Sequence, residues 1–456
     1  MLPAGIKLGV VGLPAMTATL AEADGTVNVW RGWIAGVSAG SRASLFHLVL
    51  LPVAAFGLYW ISALVLAARD DTFLFGADTI LYMELAKGHV IERLGSFYAF
   101  DRITRFHPLT TALAVTWMKA LGPLTSWITP QQLLKALFSA VGAIGAGAAA
   151  AAFAAVVPRR QAQLWGVIYA VSLGVWYFSS IEESKIVTAT LAALYIAVYL
   201  RLRQHWTAGG AALLTGILLL ACLNEIVAAF LVIIPVVDTL KRCGPDLRRG
   251  SWIGWHGLAA PAAFLFLELV VKSRTAGAVT AGPAAEGASH LSMLLFYVSQ
   301  NDFSASTVYA FLVNWLFFSI AAPTVETSLA PAEWPQYTAY FEAVASNYLS
   351  SPISAGLVAV AAVVGAATLA PKRRAPRTGG DTAIVLALVA YALLRGTFWF
   401  IVNPNECVLF STGTTMAHLL IVAIPFASSA LPGKRALLGI CALLLFVTNG
   451  TFIIGP

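Results

Sequence analysis

The stretch "QQLLKALFSAVGAIGAGAAAAAFAAVVPRR", residues 131–160, decides what kind of protein this is. From 131 to 157 it is apolar apart from a few polar residues near its start, Lys135 among them. It then meets Pro158 and the pair Arg159–Arg160. A helix rises about 1.5 Å per residue, so about 20 apolar residues reach across the hydrocarbon of a bilayer. The run is long enough, and a basic pair is what the cytoplasmic end of a membrane span carries.

The same pattern recurs along the chain. Of its 456 residues 59% are hydrophobic and 11% charged, against about 25% charged in a soluble domain. The mean hydropathy is +0.81. Apolar runs bounded by charge fall near 44–67, 131–157, 161–179, 186–200, 209–224, 226–240, 252–271, 353–370, 382–402, 409–431 and 436–453. They predict an all-α polytopic membrane protein with about 11 transmembrane helices. Two shorter runs, 108–122 and 307–322, read as interfacial or re-entrant helices. Counting 108–122 as a full span would put Arg159 and Arg160 on the outside.

With a cytoplasmic N-terminus, most of the 28 Lys and Arg fall inside. Arg201 and Arg203, Lys241 and Arg242, Arg248 and Arg249, Lys372 to Arg374, and Lys434 and Arg435 all lie there, as the positive-inside rule expects. These loops account for the net charge of +7, so no nucleic-acid partner is inferred. The chain divides into a cytoplasmic segment 1–43 without a cleavable signal peptide, and a transmembrane module 44–271 with an outer loop 68–130. A second outer loop 272–352 with interfacial helices and C-terminal helices 353–456 follow. An Ala-rich, Lys-poor composition suits a bacterial inner membrane, which makes the outer side periplasmic. The four cysteines, Cys222, Cys243, Cys407 and Cys441, form no CxxC pair and read as inert residues of the apolar segments. No Walker-type loop is present, which argues against ATP-driven chemistry.

Polar chemistry is concentrated on the outer side. "FGADTILYMELAKG", residues 75–88, sets Asp78 just before a helical-looking run. There it can cap the helix or act as a general base at the membrane surface. Asp70 and Asp71 precede it, and His107 heads "FHPLTT". Glu182, Glu183, Lys185, Glu225 and the "NPNE" turn with Glu406 lie at predicted outer turns, and carboxylates there suit sugar hydroxyls. Arg395 sits inside an apolar span, about two helical turns before the outer turn at Asn403. An Arg so placed faces a cavity or a partner, or snorkels to the interface. Glu406 is one candidate partner for it. His107 has an equally good structural reading, tying the loop to the bundle. His256 and His418, isolated in apolar spans, read as satisfied by packing.

The order "GAD-T-x-L-Y-x-x-x-A-x-G", "FHPLTT", "LLKALFSAVGAIG" and "WYFSSIEESKIVTATLAALYIAVYLRLR" resembles the glycosyltransferase-C superfamily over roughly residues 44–240. This superfamily comprises the integral-membrane transferases related to protein O-mannosyltransferases and aminoarabinose transferases. "HPL" has one Pro where the family often has two, and Lys135 stands where an Arg is common. The resemblance implies a sugar donor linked through phosphate to a polyprenyl chain, a glycan, glycolipid or protein acceptor, and an inverting displacement. Asp78 then serves as the base, with Asp71 as the reserve. Lys135, Lys185, Lys272, Arg274 and Arg395 are the cations for the leaving phosphate. Asp70, Tyr82, Arg102, Arg105, His107, Glu182, Glu183, Glu225 and Glu406 complete the expected substrate site. No cofactor is required beyond a divalent cation that some members hold, for which Asp70, Asp71 and Asp78 are the candidate ligands. Two other functions stay open: a transporter or flippase for a lipid-linked or small anionic substrate, and a non-catalytic scaffold of an envelope complex. The lack of an internal repeat weighs against the transporter.

Overall fold

The computed structural model describes residues 45–69, 107–203, 206–243, short pieces between 256 and 301, then 303–322, 348–369, 379–404 and 407–455. Every element among them is helical. A π-helical turn, Phe46–Leu50, leads into α1 (Leu51–Arg69). α2 (Pro108–Leu121) precedes α3 (Pro130–Val156), α4 (Arg159–Val171), α5 (Leu173–Ser180), α6 (Lys185–Leu202), α7 (Ala208–Asn224) and α8 (Ile233–Cys243). After α9 (Ala305–Val313) come α10 (Pro352–Leu369), α11 (Gly379–Val402), α12 (Cys407–Ser411), α13 (Thr415–Ser428) and α14 (Lys434–Ile454).

Seven helices among the described residues are long and apolar enough to cross a membrane: Phe46–Ala68, Pro130–Val156, Lys185–Leu202, Pro352–Leu369, Asp381–Val402, Leu409–Ser428 and Lys434–Ile454. The chain is therefore a multi-pass membrane protein. The shortfall from the expected number has physical causes. The run 161–179 is broken at Ser172 into α4 and α5. The run 209–224 makes a helix of 17 residues. The run 226–240 opens as a 3₁₀ segment, Ile226–Val232, and turns α-helical only at Ile233. Most of 252–271 lies outside the described residues. The two short runs form α2 and the pair of α9 with its π-helical extension Asn314–Phe318, both too short to span.

α3 is the hub. Its N-terminus is fixed by Pro130 at the first helical position and by a capping box: Thr129 accepts from the Gln132 N–H and Gln132 accepts from the Thr129 N–H. It packs against α1, α2, α4, α5 and α6. Buried residues make up 78% of the span on α3 and 28% of that on α14, which separates the bundle's interior from its lipid-facing rim. Small residues on α3 permit the close approach. A Cβ at Gly142 would strike Ser179, whose own Cβ would be 2.7 Å away, and one at Gly145 would meet Thr190 Oγ1 at 2.6 Å.

The break at Ser172 is stitched into the bundle. The Leu173 and Gly174 N–H groups donate to the carbonyls of Ile320 (3.0 Å) and Ser319 (2.8 Å). Asn449 of α14 donates to the carbonyls of Val171 (2.7 Å) and Ile320 (2.9 Å) and accepts from the Ala322 N–H (2.7 Å). In hydrocarbon such freed backbone groups must find partners inside the protein.

Candidate functional site

The polar side chains converge on one end of the bundle. The centre is the tight turn between α7 and the 3₁₀ segment. Asn224 closes α7, and Glu225 takes an extended conformation between the two. Asn224 is fully buried and joins three elements. Its carbonyl accepts from His107 Nδ1 (2.7 Å), and its side chain accepts from Thr110 Oγ1 (2.5 Å). Its amide donates to the Ser184 carbonyl (3.1 Å) and to Thr188 Oγ1 (2.9 Å). The His107 bond fixes a proton on Nδ1, because the carbonyl can only accept. His107 thus ties the start of α2 to the bundle, the structural reading of its motif.

Glu225 pairs with Arg395 of α11, Oε1 to Nη2, at 2.5 Å. Both are buried. Arg395 comes so close to the turn Thr412–Thr414 that a Cβ on Gly413 would be 2.8 Å from Nη2. Glu406, the candidate partner weighed from the sequence, lies outside the described residues. Lys185, at the start of α6, lies within electrostatic range of Glu225. Its Nζ is 4.7 Å from the centroid of the Phe410 ring, which stacks on Trp399. Burial pushes the Glu225 carboxyl up, but Arg395 first and then Lys185 outweigh it, so the group is held below the usual glutamate range.

Arg395 Nε and Nη1 and Glu225 Oε2 are buried and make no hydrogen bond. Two unmet donors, one unmet acceptor and the charge of Lys185 therefore share this end. Buried polar groups are otherwise almost always partnered, so the arrangement is suited to a polar, anionic ligand.

Beside this cluster, Lys135 of α3 pairs with Glu182 at 2.9 Å, both fully buried. Burial pushes Glu182 up, and Lys135 offsets part of that rise. The Lys135 side chain is thus engaged by a carboxylate. Glu183 accepts from Ser184 Oγ at 3.0 Å.

Seven of the candidates from the sequence, His107, Lys135, Glu182, Glu183, Lys185, Glu225 and Arg395, fall among the described residues. Asp70, Asp71, Asp78, Tyr82, Arg102, Arg105, Lys272, Arg274 and Glu406 lie outside them. Among the described residues no group of three or more His, Cys, Asp or Glu could hold a metal ion. The set weighed for a divalent cation, Asp70, Asp71 and Asp78, is outside them.

Sequence reasoning missed Asn224, Asn449 and Phe410. An Asn at the end of an apolar run was the available signal for the first, and nothing local marks the other two. His256 has partners for both ring nitrogens, Tyr195 OH at 2.6 Å and Thr215 Oγ1 at 2.9 Å. His418 is buried against Trp315, as the packing expectation has it, and neither of its ring nitrogens is hydrogen-bonded. Set against protein-family models, curated proteins and solved structures, the chain finds no match.

Proposed function

We propose that this protein is an integral-membrane glycosyltransferase of the C type, which moves a sugar from a polyprenyl-phosphate donor to a hydroxyl acceptor on the periplasmic side of a bacterial inner membrane. A glycan or glycolipid is the favoured acceptor. Asp78 takes the proton of the acceptor hydroxyl as its oxygen attacks the anomeric carbon. The bond from that carbon to the phosphate oxygen breaks, and configuration inverts. Arg395 and Lys185 receive the charge that grows on the leaving phosphate. Glu225 holds Arg395 in place and offers its second oxygen to a sugar hydroxyl.

The observation that carries this reading is the buried Arg395, with two donors unmet and Lys185 nearby. It lies at the bundle end where His107 closes the first outer loop, the loop that contains Asp78. A transporter would also use a discontinuous helix such as α4–α5. Here the freed backbone groups at Ser172 are bound by Asn449 and residues 319–320, which leaves the transferase as the better account.

The test offers the purified protein in nanodiscs a panel of polyprenyl-phosphate sugars with hydroxyl acceptors. Asp78→Asn should abolish transfer yet keep polyprenyl-phosphate binding, and Arg395→Ala should weaken that binding. Transfer by the Asn variant at near the wild-type rate would remove Asp78 from the mechanism and move the test to Asp71.

A further inference from the structure

We propose that Phe410 is a positioning residue of the phosphate site: its ring face places the Lys185 ammonium beside Arg395, so that both cations meet one phosphate. This role rests on the reading that the two cations receive the phosphate of a polyprenyl-phosphate donor.

A lysine carries its charge at the end of a flexible four-carbon stem, so the ammonium is placed only if something holds it. Glu225, the carboxylate within electrostatic range of Lys185, is already paired with Arg395. What the Lys185 ammonium rests on is the Phe410 ring, 4.7 Å from the centroid. A ring face attracts a cation through its quadrupole, yet it brings no opposite charge of its own. Lys135 shows the contrast. Its ammonium is paired with Glu182 at 2.9 Å, and that charge is neutralised. Lys185 is held in place with its charge left for an anion.

Phe410 is itself fixed from the Arg395 side. Trp399 lies one turn beyond Arg395 on α11, on the same face. Its ring stacks on Phe410 with centroids 3.4 Å apart and planes at 7°. That covers one face of the Phe410 ring, so Lys185 occupies the other. The Phe410 carbonyl is 3.5 Å from Arg395 Nη2. Trp399, Phe410, Lys185 and Arg395 are all buried. Phe410 therefore contacts α11 through one ring face and its backbone, and the start of α6 through the other ring face. Cations held in register before the ligand arrives need no rearrangement as charge grows on the phosphate.

Binding of farnesyl phosphate to the purified protein in detergent, with farnesol as the uncharged control, tests this. No sugar transfer is involved, so a failure of the transferase chemistry leaves the comparison intact. Phe410→Leu and Phe410→Met keep an apolar side chain and remove the ring. Each should weaken the phosphate-dependent binding about fivefold, the effect of leaving one long side chain unplaced. Phe410→Tyr keeps the ring and should bind as the wild type does. In a Lys185→Met background, removing the ring should cost nothing further, because the two residues act as one unit. Unchanged or tighter binding in the ring-less variants would overturn the role of Phe410. So would an equal loss in the Lys185→Met background, or a Tyr variant as weak as the Leu one. A wild-type protein that binds farnesyl phosphate no better than farnesol would overturn the phosphate site and the role of Phe410 with it.

Discussion

At the scale of single residues, the Glu225–Arg395 pair shows how a buried charge constrains its surroundings. Removing one partner of such a pair costs about 3–5 kcal/mol, whereas replacing both with apolar groups of similar volume is often near neutral. Glu225→Gln and Arg395→Met should each lower the midpoint of thermal unfolding in detergent. The double variant Glu225→Met with Arg395→Met should regain most of the loss. A double variant as unstable as the sum of the two would show that the groups act independently. The pair also sets a pH dependence. Because the folded-state pKa of Glu225 is depressed, its stabilisation is present above the ordinary glutamate value of about 4.3 and is lost as pH falls through the folded value. Glu182 has the opposite sign. Its folded pKa is raised, so its contribution is full below about 4.3 and declines as pH rises through the folded value. The charged residues of this end were legible in the sequence because a charge in a long apolar run costs too much to be incidental. Which charge meets which was not legible. Glu225 and Arg395 are 170 positions apart in the chain, and hydropathy carries no information about such partners.

At the scale of elements, the long uniform runs were read well and the interrupted ones were not. The runs that became α1, α3, α6, α10, α11, α13 and α14 are apolar over about 20 residues, so length and hydropathy alone decide them. The run 161–179 looked equally continuous. Its break at Ser172 depends on Asn449, 278 positions from Val171, and on the backbone of residues 319–322. Only tertiary partners make a broken helix tolerable in hydrocarbon. Asn449→Ala should therefore strand the Val171 carbonyl and the Ala322 N–H and destabilise the bundle by about 2–6 kcal/mol, at about 1–3 kcal/mol for each buried group left without a partner. Asn449→Asp keeps an acceptor for Ala322 but sets a carboxylate oxygen against the Val171 and Ile320 carbonyls, and should cost at least as much as the Ala variant. An unchanged unfolding midpoint in the Ala variant would mean that the break is held by other contacts.

For the whole molecule, the two ends of the bundle differ in kind. One end gathers Glu182, Glu225, Lys185, Arg395 and the loop-closing His107. The other carries Arg159, Arg201 and the Arg203–Asp238–Arg242 cluster. α3 joins them, and its 27 residues span about 40 Å at 1.5 Å each. The proposed topology has the second end in the cytoplasm, as the positive-inside rule expects, and the proposed chemistry needs the first in the periplasm. Trp127, just before α3, is 87% exposed, and Arg160, just after it, is exposed too. In a variant with the four native cysteines replaced, Trp127→Cys should react with a membrane-impermeant thiol reagent in intact spheroplasts. Arg160→Cys should react only after the membrane is permeabilised. The reverse pattern would place the Glu225–Arg395 cluster in the cytoplasm, where the proposed periplasmic transfer cannot occur. Labelling of both from one side would mean that α3 does not cross the membrane, and the assignment of two ends would fall with it.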